Sequence, residues 1–123
     1  MKRFIIEQSK KELFTSHSGL VLVGKAVNRY TDLERSLGEA IALHHGISHG
    51  DVAKSYLGLL CLGKSEFEAI SNVRHDRFFK EALGIARVPS AERLRLRLDQ
   101  HAGVMLPVID EANVEFLVNA RCR

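Results

Sequence analysis

The sequence is short of cysteine and proline and has no long apolar run, and each shortage removes a class of protein. Its two cysteines, Cys61 and Cys122, are too few for the disulfide framework of a small secreted scaffold. Cys61 lies in the apolar run Tyr56-Leu57-Gly58-Leu59-Leu60-Cys61-Leu62, so it reads as a buried, reduced core thiol. Cys122, beside the C-terminus, reads as exposed. Reduced thiols suit a cytoplasmic location. No apolar stretch approaches the ~20 residues that cross a bilayer, so no membrane partner is expected. Phe4-Ile5-Ile6 is cut short by Glu7, too brief for a secretory signal. Charge of one sign is also scarce. The net charge of +3 permits a nucleic-acid partner without requiring one.

Signatures of chemistry are missing as well. There is no glycine-rich phosphate loop, no nucleophile elbow and no cysteine–histidine pairing in a suitable context. Asp32, Asp51, Asp76, Asp99 and Asp110 fall in or beside helical segments, not at strand ends where a two-metal nuclease gathers its carboxylates. His45 and His49 have the four-residue spacing of metal-binding helices, with His44 alongside. Gly46 and Ser48 break that helix, and no Glu or Cys completes a site, so these histidines read as capping or surface groups. No catalytic residue, metal site, cofactor or small-molecule substrate is expected.

What remains is a chain of 123 residues, one domain by length, able to bury about two-thirds of its unfolded surface. The periodicity is helical nearly throughout, so the expected fold is all-α: a multi-helix bundle over residues 18–123, preceded by an N-terminal arm over 1–17. Residues 3–8 of that arm read as a short strand or an extended segment. Leu20, Val21, Val23, Val27 and Tyr30 recur near the helical period. Gly24 among them costs up to ~1 kcal/mol relative to Ala and calls for a packing reason.

Thr31 with Glu34 predicts a capping box for the next helix, whose stripe is Leu33, Leu37 and Ile41 and which His44-His45-Gly46 ends. Ser48 with Asp51 repeats the box in weaker form and opens a central helix over 49–62, ended by Gly63. Ser65 with Glu68 makes a third box. Asp76 caps a short helix that Gly84 ends. Pro89-Ser90 starts a helix over 90–101, and a last helix runs over 104–119, starting or kinking at Pro107.

Residues 76–101 have the layout of a helix-turn-helix, although the connection is long for the compact form. In that reading the first helix packs its Phe/Leu face and holds the second outward. Arg93 and Arg97 share a face, Arg95 lies to the side, Leu94 and Leu98 face the core, and Leu96 sits near the boundary. Arginines reach both phosphates and guanine edges. The opposing reading is a solvated face with ion pairs to Glu92 and Asp99.

The order of motifs resembles one family. Thr15-Ser16-His17-Ser18-Gly19-Leu20 before a helix is similar to the start of the group 1 DDE transposases of bacterial insertion sequences. So is the later run Gly63-Lys64-Ser65-Glu66-Phe67-Glu68-Ala69-Ile70, Val73-Arg74-His75-Asp76, Ala82-Leu83-Gly84, Val88-Pro89-Ser90, Leu94 and Arg97-Leu98-Asp99. The likeness spans about residues 13–120. It implies a cytoplasmic protein acting on the terminal inverted repeats of its element. In that family an RNase H-like core cuts DNA with an Asp-Asp-Glu triad and Mg²⁺. The first catalytic Asp of that pattern lies beyond the last helix here, so no residue of this chain inherits a triad role and the Mg²⁺ belongs to the catalytic domain.

The resulting expectation is a DNA-binding helical segment that meets double-stranded DNA through Arg93, Arg95 and Arg97, with Arg87 and Lys64 as phosphate contacts. Arg74 beside Asp76 is expected to brace a turn by an ion pair. The alternative is a helical module that mediates dimerisation or braces the catalytic domain without reading DNA, through a patch including Val114, Phe116 and Val118. A homodimer is the further partner this implies.

Overall fold

The order of apolar stripes translates into helices stacked around one very long helix. A computed structural model describes residues 15–43 and 45–121; the expected strand or arm at 3–8, His44 and Cys122 lie outside them. The elements are α1 (Leu20–Tyr30), α2 (Leu33–Ala40), α3 (His49–Cys61), a 3₁₀ helix η1 (Phe67–Asn72), α4 (Arg77–Leu83) and α5 (Ala91–Arg121). The described residues form an all-α bundle with no strand.

α3 is the central helix. Its Val52 and Leu59 join Leu20 of α1, Ile70 of η1, Phe79 and Leu83 of α4 and Leu94 of α5 in one apolar cluster. A second cluster gathers Leu33, Leu37, Ile41, Ala53, Met105 and Ala112. Leu98 packs against both clusters, so α5 ties the two halves of the core together.

Close approach of backbones sets the crossings. A Cβ at Gly24 would stand 1.8 Å from the carbonyl oxygen of Ala82, and one at Gly58 would stand 2.6–2.8 Å from the Leu83 and Phe79 side chains. Only glycine lets α1 and α3 lie this close to α4, which is the packing reason Gly24 requires. Asn28 Nδ2 then donates to the Leu83 carbonyl at 3.0 Å, satisfying an orphan group at the end of α4.

Several local expectations hold. Ser48 Oγ accepts from Asp51 N–H and Asp76 Oδ1 from Phe78 N–H, each capping its helix. Gly63 (φ +75°) and Gly84 (φ +68°) take the left-handed conformation and end α3 and α4. At Gly84 the Ile85 N–H reaches the Lys80 carbonyl, the longer bond of a Schellman motif.

Others are corrected. The Thr31–Glu34 box does not form: Thr31 Oγ1 donates to the Val27 carbonyl at 2.6 Å and Glu34 pairs with Lys54. The Ser65–Glu68 box gives way to η1, with Glu68 paired to Arg95. In both boxes the glutamate pairs with a cation from another helix in place of the N-cap backbone N–H. α2 ends at Ala40, ahead of the histidines. Cys61 is exposed, because it falls on the outer side of α3's last turn.

The two helices expected at 90–101 and 104–119 are one helix of 31 residues. Pro107 removes the bond to the Gly103 carbonyl, but Met105 and Ala112 are buried on either side of it. Packing onto α2 and α1 carries the helix across that break. α4 rests on α1 and α3, and α5 on η1, α2 and α1. α4 and α5 therefore scarcely touch, unlike the paired helices of a helix-turn-helix.

Candidate functional site

The segment from Gly84 to Arg97 is held by buried polar groups of α3. Asp51, in the first turn of α3, is buried. Its Oδ2 accepts from Ala86 N–H at 3.2 Å and Arg87 N–H at 3.1 Å. One carboxylate thereby fixes the backbone beneath Arg87. Val88 and Pro89 are buried, and Ser90 caps α5 by accepting from Arg93 N–H at 3.3 Å. The exposed Arg87 and Arg93 side chains consequently flank the N-terminus of α5, and neither has an ion partner among the described residues.

The other cations expected at the duplex are placed differently. The Arg95 guanidinium pairs with Glu68 and lies 5.5 Å from the centre of the Phe67 ring. Its own backbone N–H, then Arg95, holds the Glu68 carboxyl below its ordinary pKa. Arg97 is half-buried: its Nη1 donates to the Ile47 carbonyl at 2.9 Å and lies 3.1 Å from His49 Nδ1. The expected ion pairs to Glu92 and Asp99 do not form. Lys64 is exposed, but its N–H bonds the Leu59 carbonyl toward the far end of α3 from Asp51, roughly 12 Å away along the helix axis. Arg74 has no ion partner among the described residues, and Asp76 caps α4 instead. Arg87 and Arg93 lie on either side of the start of α5, and Lys64 lies apart from them beyond the end of α3.

His49 begins α3 and is buried, with ring nitrogen Nε2 unpartnered. The His101 ring stands edge-on to it at 5.2 Å. Burial first, then the Arg97 charge and His101, lowers the His49 pKa below its ordinary value; the Ala42 backbone opposes the shift. Sequence spacing gave no sign of this node, because Arg97 and His101 come from α5. Lys54 was missed for a similar reason. It is a lysine inside an apolar helix, and its partner Glu34 lies on α2.

Comparison with family models, curated proteins and solved structures finds no match.

The remaining feature is the outer face of α5. Leu96, Val104, Leu106, Ile109, Val114, Leu117 and Val118 are exposed, seven of the ten exposed large apolar residues among those described. Phe116, expected with them, instead packs edge-on to Tyr30 at 6.0 Å. Among the described residues no three His, Cys, Asp or Glu side chains are placed to hold a metal, and no helix is long and apolar enough to cross a membrane.

Proposed function

We propose that this chain is a non-catalytic helical segment from the N-terminal side of a DDE transposase, and that it works as an association module through the outer face of α5. The transposase reading rests on the order of sequence motifs. The choice of surface rests on one observation, the concentration of exposed apolar side chains on α5. Exposed apolar patches mark protein-binding surfaces, and here the apolar residues are interspersed with exposed Asp99, Asp110 and Glu111. The Arg-rich stretch supports duplex reading less well, since the guanidiniums of Arg95 and Arg97 are engaged within the chain.

The test is sedimentation of the native chain against a Leu106→Ser/Val114→Ser/Leu117→Ser variant. Concentration-dependent association that the variant loses, with its unfolding midpoint unchanged, supports the module. A native chain that remains monomeric at high concentration, or a variant that associates equally, sinks it.

A second reading keeps direct DNA contact. It is favoured by Arg87 and Arg93 standing unpaired at a helix N-terminus, where the backbone dipole adds to their positive potential. On this reading a gel shift with terminal-repeat DNA is weakened by Arg87→Ala. The slope of log affinity against log salt also flattens by about 0.9 for that one lost phosphate contact.

A further inference from the structure

We propose that the occupant of the outer face of α5 is a second copy of this chain, lying antiparallel across it, with Arg93 of each copy paired to Glu111 of the other. This rests on the reading of α5 as an association surface and names its partner.

Two observations carry it. The first is the charge order along the helix. The N-terminal turns hold Arg93, and the C-terminal half holds Asp110 and Glu111. Glu92 shares the first turn with Arg93, and Asp110 and Glu111 lie well inside the helix, ahead of its last turn at Arg121, so the helix dipole does not account for this order. Arg93 and Glu111 are exposed, and neither has an ion partner among the described residues. They are eighteen residues apart, five turns at about 3.6 residues each, and so lie on one line along the helix.

A parallel copy would set Arg93 against Arg93 and Glu111 against Glu111, which is repulsive. An antiparallel copy related by a two-fold axis sets each against its opposite, and symmetry makes the pair twice. Charged flanks of this kind fix the orientation of paired helices.

The second observation concerns the midpoint. The axis that relates Arg93 to Glu111 passes beside residue 102, next to Gly103. A Cβ at Gly103 would meet nothing within 4 Å, unlike one at Gly24 or Gly58, so no contact inside the chain requires a glycine there. Absence of a side chain at the crossing point lets two helices approach closely. In the same register Leu96 of one copy, 54% exposed alone, comes opposite Val108 of the other. Arg93 is occupied in this dimer, so of the five cations expected at a duplex only the Arg87 and Lys64 side chains stay without an ion or hydrogen-bond partner among the described residues.

Charge reversal of the full chain tests the arrangement by sedimentation without DNA. Arg93→Glu alone and Glu111→Arg alone should each weaken dimerisation about tenfold or more. The double variant Arg93→Glu/Glu111→Arg should recover most of the loss, because the two-fold axis re-forms both pairs with signs exchanged. Circular dichroism on each variant checks that the helices remain. Association that depends on Leu106, Val114 and Leu117 but ignores these reversals, or singles that are not rescued in the double, overturns the antiparallel dimer and leaves the association surface standing. A monomer at all concentrations overturns both.

Discussion

The ammonium of Lys54 reaches Glu34 Oε2 at 2.7 Å, and the two partners sit in opposite surroundings: the lysine side chain is 2% exposed and the glutamate 58%. A buried cation therefore touches water only through its partner. Removing one member of a buried pair costs about 3–5 kcal/mol, whereas replacing the charge by an apolar side chain of similar size is often neutral. Glu34 is open to solvent, so its loss should fall below that range, at about 1–3 kcal/mol. Lys54→Met should be near neutral. Urea midpoints give the ranking, and a Lys54→Met variant less stable than Glu34→Ala contradicts it.

Asp51 supports the loop ahead of α5 by accepting two backbone N–H groups. Hydrogen bonds to a charged acceptor contribute about 1.5–3 kcal/mol each. Asp51→Ala should cost about 2–4 kcal/mol after relaxation and speed amide exchange at Ala86 and Arg87 more than elsewhere. Uniform acceleration across the chain would show that the carboxylate has no special hold on this segment.

His49 sets a pH limit. Its folded pKa is lowered, by burial first and then by Arg97 and His101, from 6.5. The folded state favours neutral imidazole, so this contribution is whole above about pH 6.5. Below that the unfolded chain takes up the proton first, and stability falls as the pH drops toward the folded value. The groups around His49 are Arg97 and His101 on α5, with the Glu34–Lys54 pair adjoining Gly50. A His49→Gln variant should lose less stability between pH 7 and 5 than the native chain in thermal melts. Equal acid sensitivity in both assigns the effect to another group.

Gly24 and Gly103 should respond oppositely to alanine. At Gly24 the added carbon meets the Ala82 carbonyl and must separate α1 from α4, a strain of about 1–3 kcal/mol. At Gly103 the space is open, so alanine should raise monomer stability by up to about 1 kcal/mol. Guanidinium melts at low protein concentration compare the two, and destabilisation at Gly103 would reveal a constraint inside the chain.

The parts of this fold legible in sequence are those decided within a few residues. Ser48, Asp76, Ser90 and the left-handed Gly63 and Gly84 mark helix ends because a cap needs only its own neighbours. Leu33, Leu37 and Ile41 show their burial by spacing. The misreadings share a different cause. Glu34 and Glu68 look like capping residues until Lys54 and Arg95 arrive from other helices. Gly103 and Pro107 look like a break until Met105 and Ala112 are seen to be anchored. The arginine run has the same ambiguity: exposure of Arg93, stacking of Arg95 on Phe67 and capping of Ile47 by Arg97 depend on what lies opposite each turn of α5.

The hydrogen bond from Asp32 N–H to Glu115 joins residues 83 apart, and that from Asn119 to the Tyr30 carbonyl spans 89. During synthesis the first two helices leave the ribosome long before the segment that fastens them. α1 can pack on α4 and α2 on α3 before then, but the side of each that meets α5 must wait through most of translation. Final closure is therefore a late event, and pausing anywhere before α5 emerges lengthens the window in which chaperones find an open apolar surface.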